Sequence, residues 1–313
     1  MEYKNAPLAS PEQILIEQFK SKLAGLNYSK ETIMNYELSV KDFADYLQSV
    51  NKTLVTFSAE DLPAYRESFM KKDKEGNFIK KTKAGEPYNP SSVGRHLKAI
   101  STFFEQVKGY RIKVRSPKTG KHLPEWLDKD EVTKLLDNIK ESELETWFKL
   151  LYRYALRVSE SINLTISDLD FKKKVIYIRA AKGGAGEPDI MGLQDKDIQT
   201  LKEWIEARSK KKDVEYQRTT WLFPYFLGRN KEPSRQKAWL YLKQLAEDSK
   251  IARDKVYPHV FRHSRAVHLR GDGASLEDLR DFLRHERYDT TLIYATVTPE
   301  NLTKKLAGIE SPI

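Results

Sequence analysis

Arg157, Lys182, His259, Arg262, His263, His285 and Tyr294 are the side chains whose types and spacing suggest chemistry. His259-Val260-Phe261-Arg262-His263 follows Pro258, which suits a first helical turn because its missing amide hydrogen is not needed there. Steps of three and four from His259 put Arg262 and His263 on one helix face. Two His at that spacing also fit a metal pair, but no Glu stands between them and a guanidinium lies alongside, where a metal cation is unfavourable. Two imidazoles and an Arg suit an anion instead, above all a phosphate held bidentately by Arg and hydrogen-bonded by His. A basic surface helix is the plainer reading of the same five residues.

Arg157 stands in ALRVSESINL between apolar Leu156 and Val158, before a helix start at Ser159 and Glu160. An Arg at such a junction needs an anionic partner, either a carboxylate such as Glu160 or a ligand phosphate. Lys182 occupies a Gly-rich turn, AAKGG, where glycines permit close approach to a ligand; a Lys in a turn also simply solubilises. In FLRHERYDTTLIYATV, His285 closes one helix and Tyr294 lies nine positions on, in a short helix capped by Asp289 or Thr290, with Tyr288 read as part of a loop.

The elements that must hold these groups are mostly helical. Ile33, Tyr36, Val40, Phe43 and Leu47 form one amphipathic stripe, and Val93, Leu97, Ile100, Phe104 and Val107 another. With helices around Leu15, Phe19 and Leu23 and after Ser58, they predict an all-helical unit over residues 9–108. Residues 71–83, with six Lys against one Asp and one Glu, read as a hairpin or loop, either solvated or touching DNA. Residues 109–122 read as a basic linker: with Lys108 just before it, Arg111, Lys113, Arg115, Lys118 and Lys121 follow one another without an acid between them, suited to a phosphate backbone.

From residue 123 to 313 the pattern predicts a second unit, mainly helical with a small sheet. Asp128 and Glu131 form a capping box for a helix over 129–139, and 145–156 reads as the next helix. Residues 174–179 are the best strand, with 189–193 as its returning partner. Helices follow over 194–207, 235–248, 258–269 and 275–284, and Pro299 opens a short terminal one.

The absence of cysteine excludes disulfide scaffolds and thiolate metal sites, and the net charge of +10 points to a polyanionic partner, nucleic acid before membrane. No apolar run nears the ~18 residues of a membrane span, and MEYKNAPLASPEQ has neither a basic nor an apolar leader region, so a cytoplasmic protein is expected.

ALRVSE, AAKGG, HVFRH and LRHERYDTTLIY, in this order and spacing, resemble the active-site boxes of the tyrosine recombinase (phage integrase) family, with the size and layout of Xer-type members. SKETIMNYELSVKDFADYL and NPSSVGRHLKAISTFF resemble the main helices of that family's core-binding domain, so the resemblance covers nearly the whole chain. It assigns the family's six catalytic roles to Arg157, Lys182, His259, Arg262, His285 and Tyr294, with Glu160 and His263 supporting them. Departures are Arg284 where the family usually has Gly, Phe261 for Leu, and Ser264-Arg265 for Thr-Phe.

The resemblance implies site-specific recombination through a 3′-phosphotyrosine and a Holliday junction, with no cofactor or metal, by a homo-tetramer on double-stranded DNA with inverted core sites. Arg95, Lys113, Arg115, Lys118 and Arg284 become candidate DNA contacts, and residues 300–313 are expected to dock on a neighbouring protomer or on their own domain. A type IB topoisomerase-like strand transferase or a catalytically inactive DNA-binding protein are the alternatives. Chromosome dimer resolution and mobile-element integration are both compatible with this sequence, and any host accessory protein is unspecified.

Overall fold

The stripes predicted around Val40 and Leu97 are the two main packing faces of the first unit in the computed structural model, which describes residues 10–82, 85–112, 117, 125–179, 187–285 and 288–295. The chain divides into two units, Met1–Gly120 and Lys121–Ile313. Each has its own hydrophobic core. Among the described residues no helix is long and apolar enough to cross a membrane.

The first unit contains α1 (Pro11–Gly25), α2 (Lys30–Ser49), α3 (Asp61–Ser68) and α4 (Pro90–Phe103). Side chains of Ser10, Ser29 and Asn89 cap α1, α2 and α4 by accepting otherwise unpaired amide hydrogens of the first turn. Phe19, Phe43, Leu47, Tyr65, Leu97 and Phe103 are fully buried between these helices, each contributing about 1.5–3 kcal/mol of transfer free energy. The stripe that continues through Phe104 and Val107 does not extend α4 as an α-helix. Residues Phe104–Lys108 widen into a π-helical turn that ends at left-handed Gly109 (φ +80°).

Residues 71–82 form a turn segment with bridges Lys72↔Phe78 and Lys81↔Pro87. One of its lysines is structural rather than merely solvated, since Lys80 lies over the rings of Tyr65 and Phe69 and reaches Asp42 at 2.6 Å.

The second unit is mainly helical: α5 (Lys129–Asp137), α6 (Ser142–Arg153), α7 (Val158–Ile162), α8 (Asp195–Ser209), α9 (Val214–Arg218), α10 (Arg235–Asp248), α11 (Pro258–Gly271) and α12 (Leu276–Leu283). Its antiparallel sheet has the order β1 (Leu169–Asp170), β2 (Val175–Ile178), β3 (Asp189–Gly192), with Ile176 opposite Met191. Ile176 and Ile178 point into the core in the alternation expected of a half-buried strand.

Three boundaries differ from expectation in ways that matter for the site. Helix α6 stops at Arg153 rather than running to Leu156, because Ala155 is left-handed (φ +47°) and swings the chain into α7. Helix α7 begins at Val158 with Arg157 as its cap residue, not at Ser159. Tyr294 lies at the end of a 3-10 turn, Leu292–Tyr294, whose cap residue is Thr291 rather than Asp289 or Thr290. Tyr288 is not in a loop either but opens a preceding 3-10 turn, Tyr288–Thr290.

Candidate active site

Helix α11 is the base of the site. Tyr257, extended at its cap, and Pro258 in the first turn start the helix so that His259, Arg262 and His263 share a face. Buried Arg262 donates from Nη1 to the Ala155 carbonyl at 2.7 Å and from Nη2 to the Leu283 carbonyl. Those carbonyls terminate the regions of α6 and α12, where a cation satisfies unpaired acceptors and the negative dipole end. Burial, then the neighbouring Arg157 and Arg284 charges, lowers its pKa to about 10, so it is a cation at neutral pH.

Arg157 is held by Glu160, not by a chance surface position. The Glu160 carboxylate accepts the Arg157 backbone N–H at 2.7 Å and Nη1 at 2.5 Å, while the Arg157 side chain remains 40% exposed and open to a ligand. Glu160 itself is buried. Burial opposes its ionisation, but Arg284 and then Arg157 outweigh that penalty and hold its pKa below the usual carboxylate range.

The Tyr294 ring is 1% exposed, packed with Ala155, Ala266, Val267, Leu279 and Leu283. Its hydroxyl is hydrogen-bonded to His263 Nδ1 at 2.6 Å, and the His259 and His263 rings lie 6.3 Å apart. Burial raises the phenol pKa above its ordinary value, against the opposing Arg262 charge. Tyr288, by contrast, is 39% exposed and reaches Glu277 at 3.5 Å.

His285 follows left-handed Arg284 and is paired through Nδ1 with the buried Thr291 hydroxyl at 2.9 Å. Burial and then Arg262 and Arg157 push its pKa down to about 4. Burial, His259 and Arg262 do the same to His263. Both imidazoles are therefore neutral at physiological pH. Nothing in the sequence signals the Thr291 partnership, because the Asp-Thr-Thr run reads only as a helix cap.

The described structure thus brings Arg157, His259, Arg262, His263, His285 and Tyr294 together around α11. Lys182, Lys113, Arg115, Lys118 and residues 300–313 lie outside the described residues. Arg95 stands exposed on α4, bonded to Ser92 Oγ at 2.8 Å. Arg284 does not face outward as a DNA contact would: its side chain is 6% exposed and ion-paired to Glu160 at 2.7 Å. Its inward course follows from the turn at the end of α12, a tertiary feature with no local sequence signal. Among the described residues no group of three or more His, Asp or Glu is arranged to hold a metal ion.

Comparison with known proteins gives this geometry a family. Residues 125–301 match the phage integrase family, and residues 15–113 match the phage integrase N-terminal SAM-like domain. The tyrosine recombinase XerA of Thermococcus onnurineus is 32% identical over 224 residues, covering 70% of this chain and 75% of that one. XerD of Yersinia pestis is 29% identical over 309 residues, covering 92% and 94% respectively. A crystal structure of the XerH site-specific recombinase bound to palindromic difH substrate, a post-cleavage complex, shares the fold at TM-score 0.72 and 17% identity, covering 99% of this chain and 100% of that one. These matches, which span both units and the helix that faces Tyr294, show that the chain belongs to the phage integrase family of tyrosine recombinases, enzymes of site-specific recombination that cleave and rejoin DNA through a tyrosine intermediate.

Proposed function

We propose that Tyr294 attacks the scissile phosphodiester while Arg157, Arg262, His259 and His285 hold its non-bridging oxygens. The observation that carries this reading is the 2.6 Å contact between the Tyr294 hydroxyl and His263 Nδ1, on the same helix face as Arg262 and His259. A phenol is a poor nucleophile at neutral pH, and burial makes Tyr294 poorer still until its proton has an acceptor and the developing charge a counterpart. Neutral His263 supplies the first. The guanidiniums supply the second, as preorganised donors aimed at charge that grows in the transition state.

In the tautomer this role requires, His285 Nδ1 accepts from the Thr291 hydroxyl, 2.9 Å away, and Nε2–H is the hydrogen directed to the phosphate. Lys182 is assigned, by family resemblance, to protonate the departing 5′-oxygen. The products are a 3′-phosphotyrosine and a free 5′-hydroxyl; attack by a second strand's 5′-hydroxyl reverses the step and exchanges strands through a Holliday junction. The bond energy is stored in the phosphotyrosine, so no nucleotide is required, and Arg157 and Arg262 with His259 and His285 hold the phosphate charge without a metal.

The partner is double-stranded DNA, supported by the net charge of +10 and by a relative whose structure contains its palindromic DNA substrate. A DNA substrate accords with work in the cytoplasm. We assign residues 9–108 to core-site binding, 109–122 to a linker along the phosphate backbone and 123–313 to catalysis, with four protomers on paired inverted core sites coupled through residues 300–313. A chain truncated after Pro299 that still fills a full site cooperatively in a gel-shift titration would count against that coupling.

The decisive experiment uses nicked suicide DNA and a denaturing gel. Tyr294→Phe removes one oxygen and little packing, so folding and DNA affinity persist while the covalent band disappears; Tyr288→Phe keeps the band, and chelator leaves it unchanged. A covalent band surviving in Tyr294→Phe would overturn the assignment of the nucleophile.

A further inference from the structure

Helix α12 ends in an unusual way. Arg284 has φ +54° and ψ +49°, a left-handed conformation that favours glycine, and it stands where the family resemblance leads one to expect Gly. A long charged side chain at such a turn ordinarily extends into water. This one turns inward: its side chain is 6% exposed, Nη2 lies 2.7 Å from Glu160 Oε2, and Nε lies 3.4 Å from Asp189 Oδ2 on β3.

We propose that Arg284 is a positioning residue of the cleavage site: by gripping Glu160 Oε2 while the Arg157 guanidinium takes Oε1, and by bridging to Asp189, it fixes the Arg157 guanidinium for the phosphate and ties α7, α12 and β3 into one frame. This inference rests on the reading of Arg157 as a phosphate-holding residue. A buried carboxylate with Arg157 as its sole cation loses that partner's full attraction once a phosphate engages Arg157, and a buried carboxylate without a partner takes up a proton or shifts. With Arg284 present, Glu160 stays ionised and in place through the cycle, and Arg157 keeps both its capping bond and its orientation.

The charged groups facing Glu160 are Arg157 from α7, Arg284 from the end of α12, and Arg262 and His259 from α11, with Asp189 of β3 beyond Arg284. Of these, Arg157 and Arg284 touch the carboxylate itself. Removing Arg284 lets the burial penalty dominate, so the Glu160 pKa rises and its proton is taken up at higher pH. The resulting defect in cleavage deepens toward acid, a signature that loss of packing does not give.

The test is single-turnover cleavage of nicked suicide DNA by the full-length protein at saturating DNA, from about pH 5.5 to about pH 8.5, with DNA affinity measured across salt concentration. Arg284→Gln is expected to cleave about 10–100-fold more slowly, with the larger loss at the acidic end, and with the salt dependence of binding unchanged. Arg284→Lys restores part of the rate because it keeps a charge beside Glu160. Arg284→Gly suits the left-handed backbone, so it folds and shows the same defect, which separates positioning from misfolding. Wild-type cleavage by Arg284→Gln at every pH would overturn the proposal, as would a log-log salt slope smaller by about 0.9, the mark of one fewer phosphate bound. Retained adduct formation in Arg157→Ala would instead overturn the reading beneath it.

Discussion

Among the described residues, Ser39 is the one buried polar side chain of the first unit, whereas the second buries Glu143, Glu160, Asp197, Arg208, Lys243 and Arg262. The first is held by aromatic packing, as in the edge-on contacts of Phe43 with Tyr65 at 4.8 Å and Phe57 with Phe104 at 4.0 Å. In the second, buried cations hold chain segments together: Arg208 donates to the carbonyls of Tyr216, Trp221 and Thr219, and Arg262 to those of Ala155 and Leu283. Taking a charge out of water costs several kcal/mol before compensation, so these groups are poor sources of net stability. They fix geometry. A unit built only of packed helices needs apolar contacts; on the proposed function, a unit that aims guanidiniums and imidazoles at one phosphorus atom tolerates buried charge to do it.

The largest expected departure comes from Arg262→Lys. Charge is retained, but one ammonium cannot span two carbonyls as the planar fork does. One carbonyl is left unpaired, at about 1–3 kcal/mol, and cleavage is nearly abolished because the site loses its central guanidinium. Leu97→Ala in the first unit lowers stability by a comparable or larger amount, about 2–5 kcal/mol, but leaves the catalytic groups untouched. Urea unfolding paired with adduct formation separates the two. An Arg262→Lys protein as stable as wild type would show that capping the two helix ends is not what fixes this region.

Acid should also divide the units. His263 and His285 have folded-state pKa values of about 4 against an ordinary value near ~6.5. The unfolded chain therefore binds these protons first as pH falls, so the stability the neutral imidazoles contribute is complete above about pH 6.5 and is lost on the way down to about pH 4. The first unit contains His96, shifted downward mainly by burial, as its one described histidine. Imidazole NMR signals of His263 and His285 that titrate near pH 6.5 would remove the basis for the difference.

The two units also differ in what their sequences disclose. Stripes through Val40 and Leu97 expose the helices of the first because its packing obeys helical period alone, and the same logic finds α8, α10 and α11 in the second. The period cannot show that the chain beyond Phe103 widens to a π-turn, since Phe104 and Val107 keep the spacing of an α-helix. β1 has two residues, too few for alternation to register. At the site, residue type and spacing group His259, Arg262 and His263, and the family resemblance adds Arg157, His285 and Tyr294. The inward course of Arg284 depends on where α12 ends against α7, and the Thr291–His285 pairing on the turn that follows, and neither is legible.

The basic segment 109–122 offers a measurement of intermediate size. Neutralising Lys113, Arg115 and Lys118 together is expected to weaken binding to all DNA sequences alike and to lower the log-log salt slope by about 0.9 for each phosphate no longer neutralised. Stability of either unit should not change. An unchanged slope would return the segment to the role of a solvated tether.

The smallest expected effect compares two left-handed chain reversals. The π-turn after α4 ends at Gly109 with φ +80°, and α12 ends at Arg284 with φ +54°. A Cβ added at Gly109 meets no atom within 4 Å, so Gly109→Ala tests backbone conformation without a steric clash. The cost should be about 1 kcal/mol, the usual penalty for an L side chain in that region, and should appear as a fall of about 4–8 °C in the melting temperature of a unit this size. Arg284 carries the same backbone penalty, yet its side chain holds a buried carboxylate in return. Arg284→Gly should therefore shift stability less than its lost ion pair alone implies, because relief of the backbone offsets part of it. If Gly109→Ala melts with wild type, the left-handed turn carries no penalty at that position, and the backbone offset assigned to Arg284→Gly loses its support.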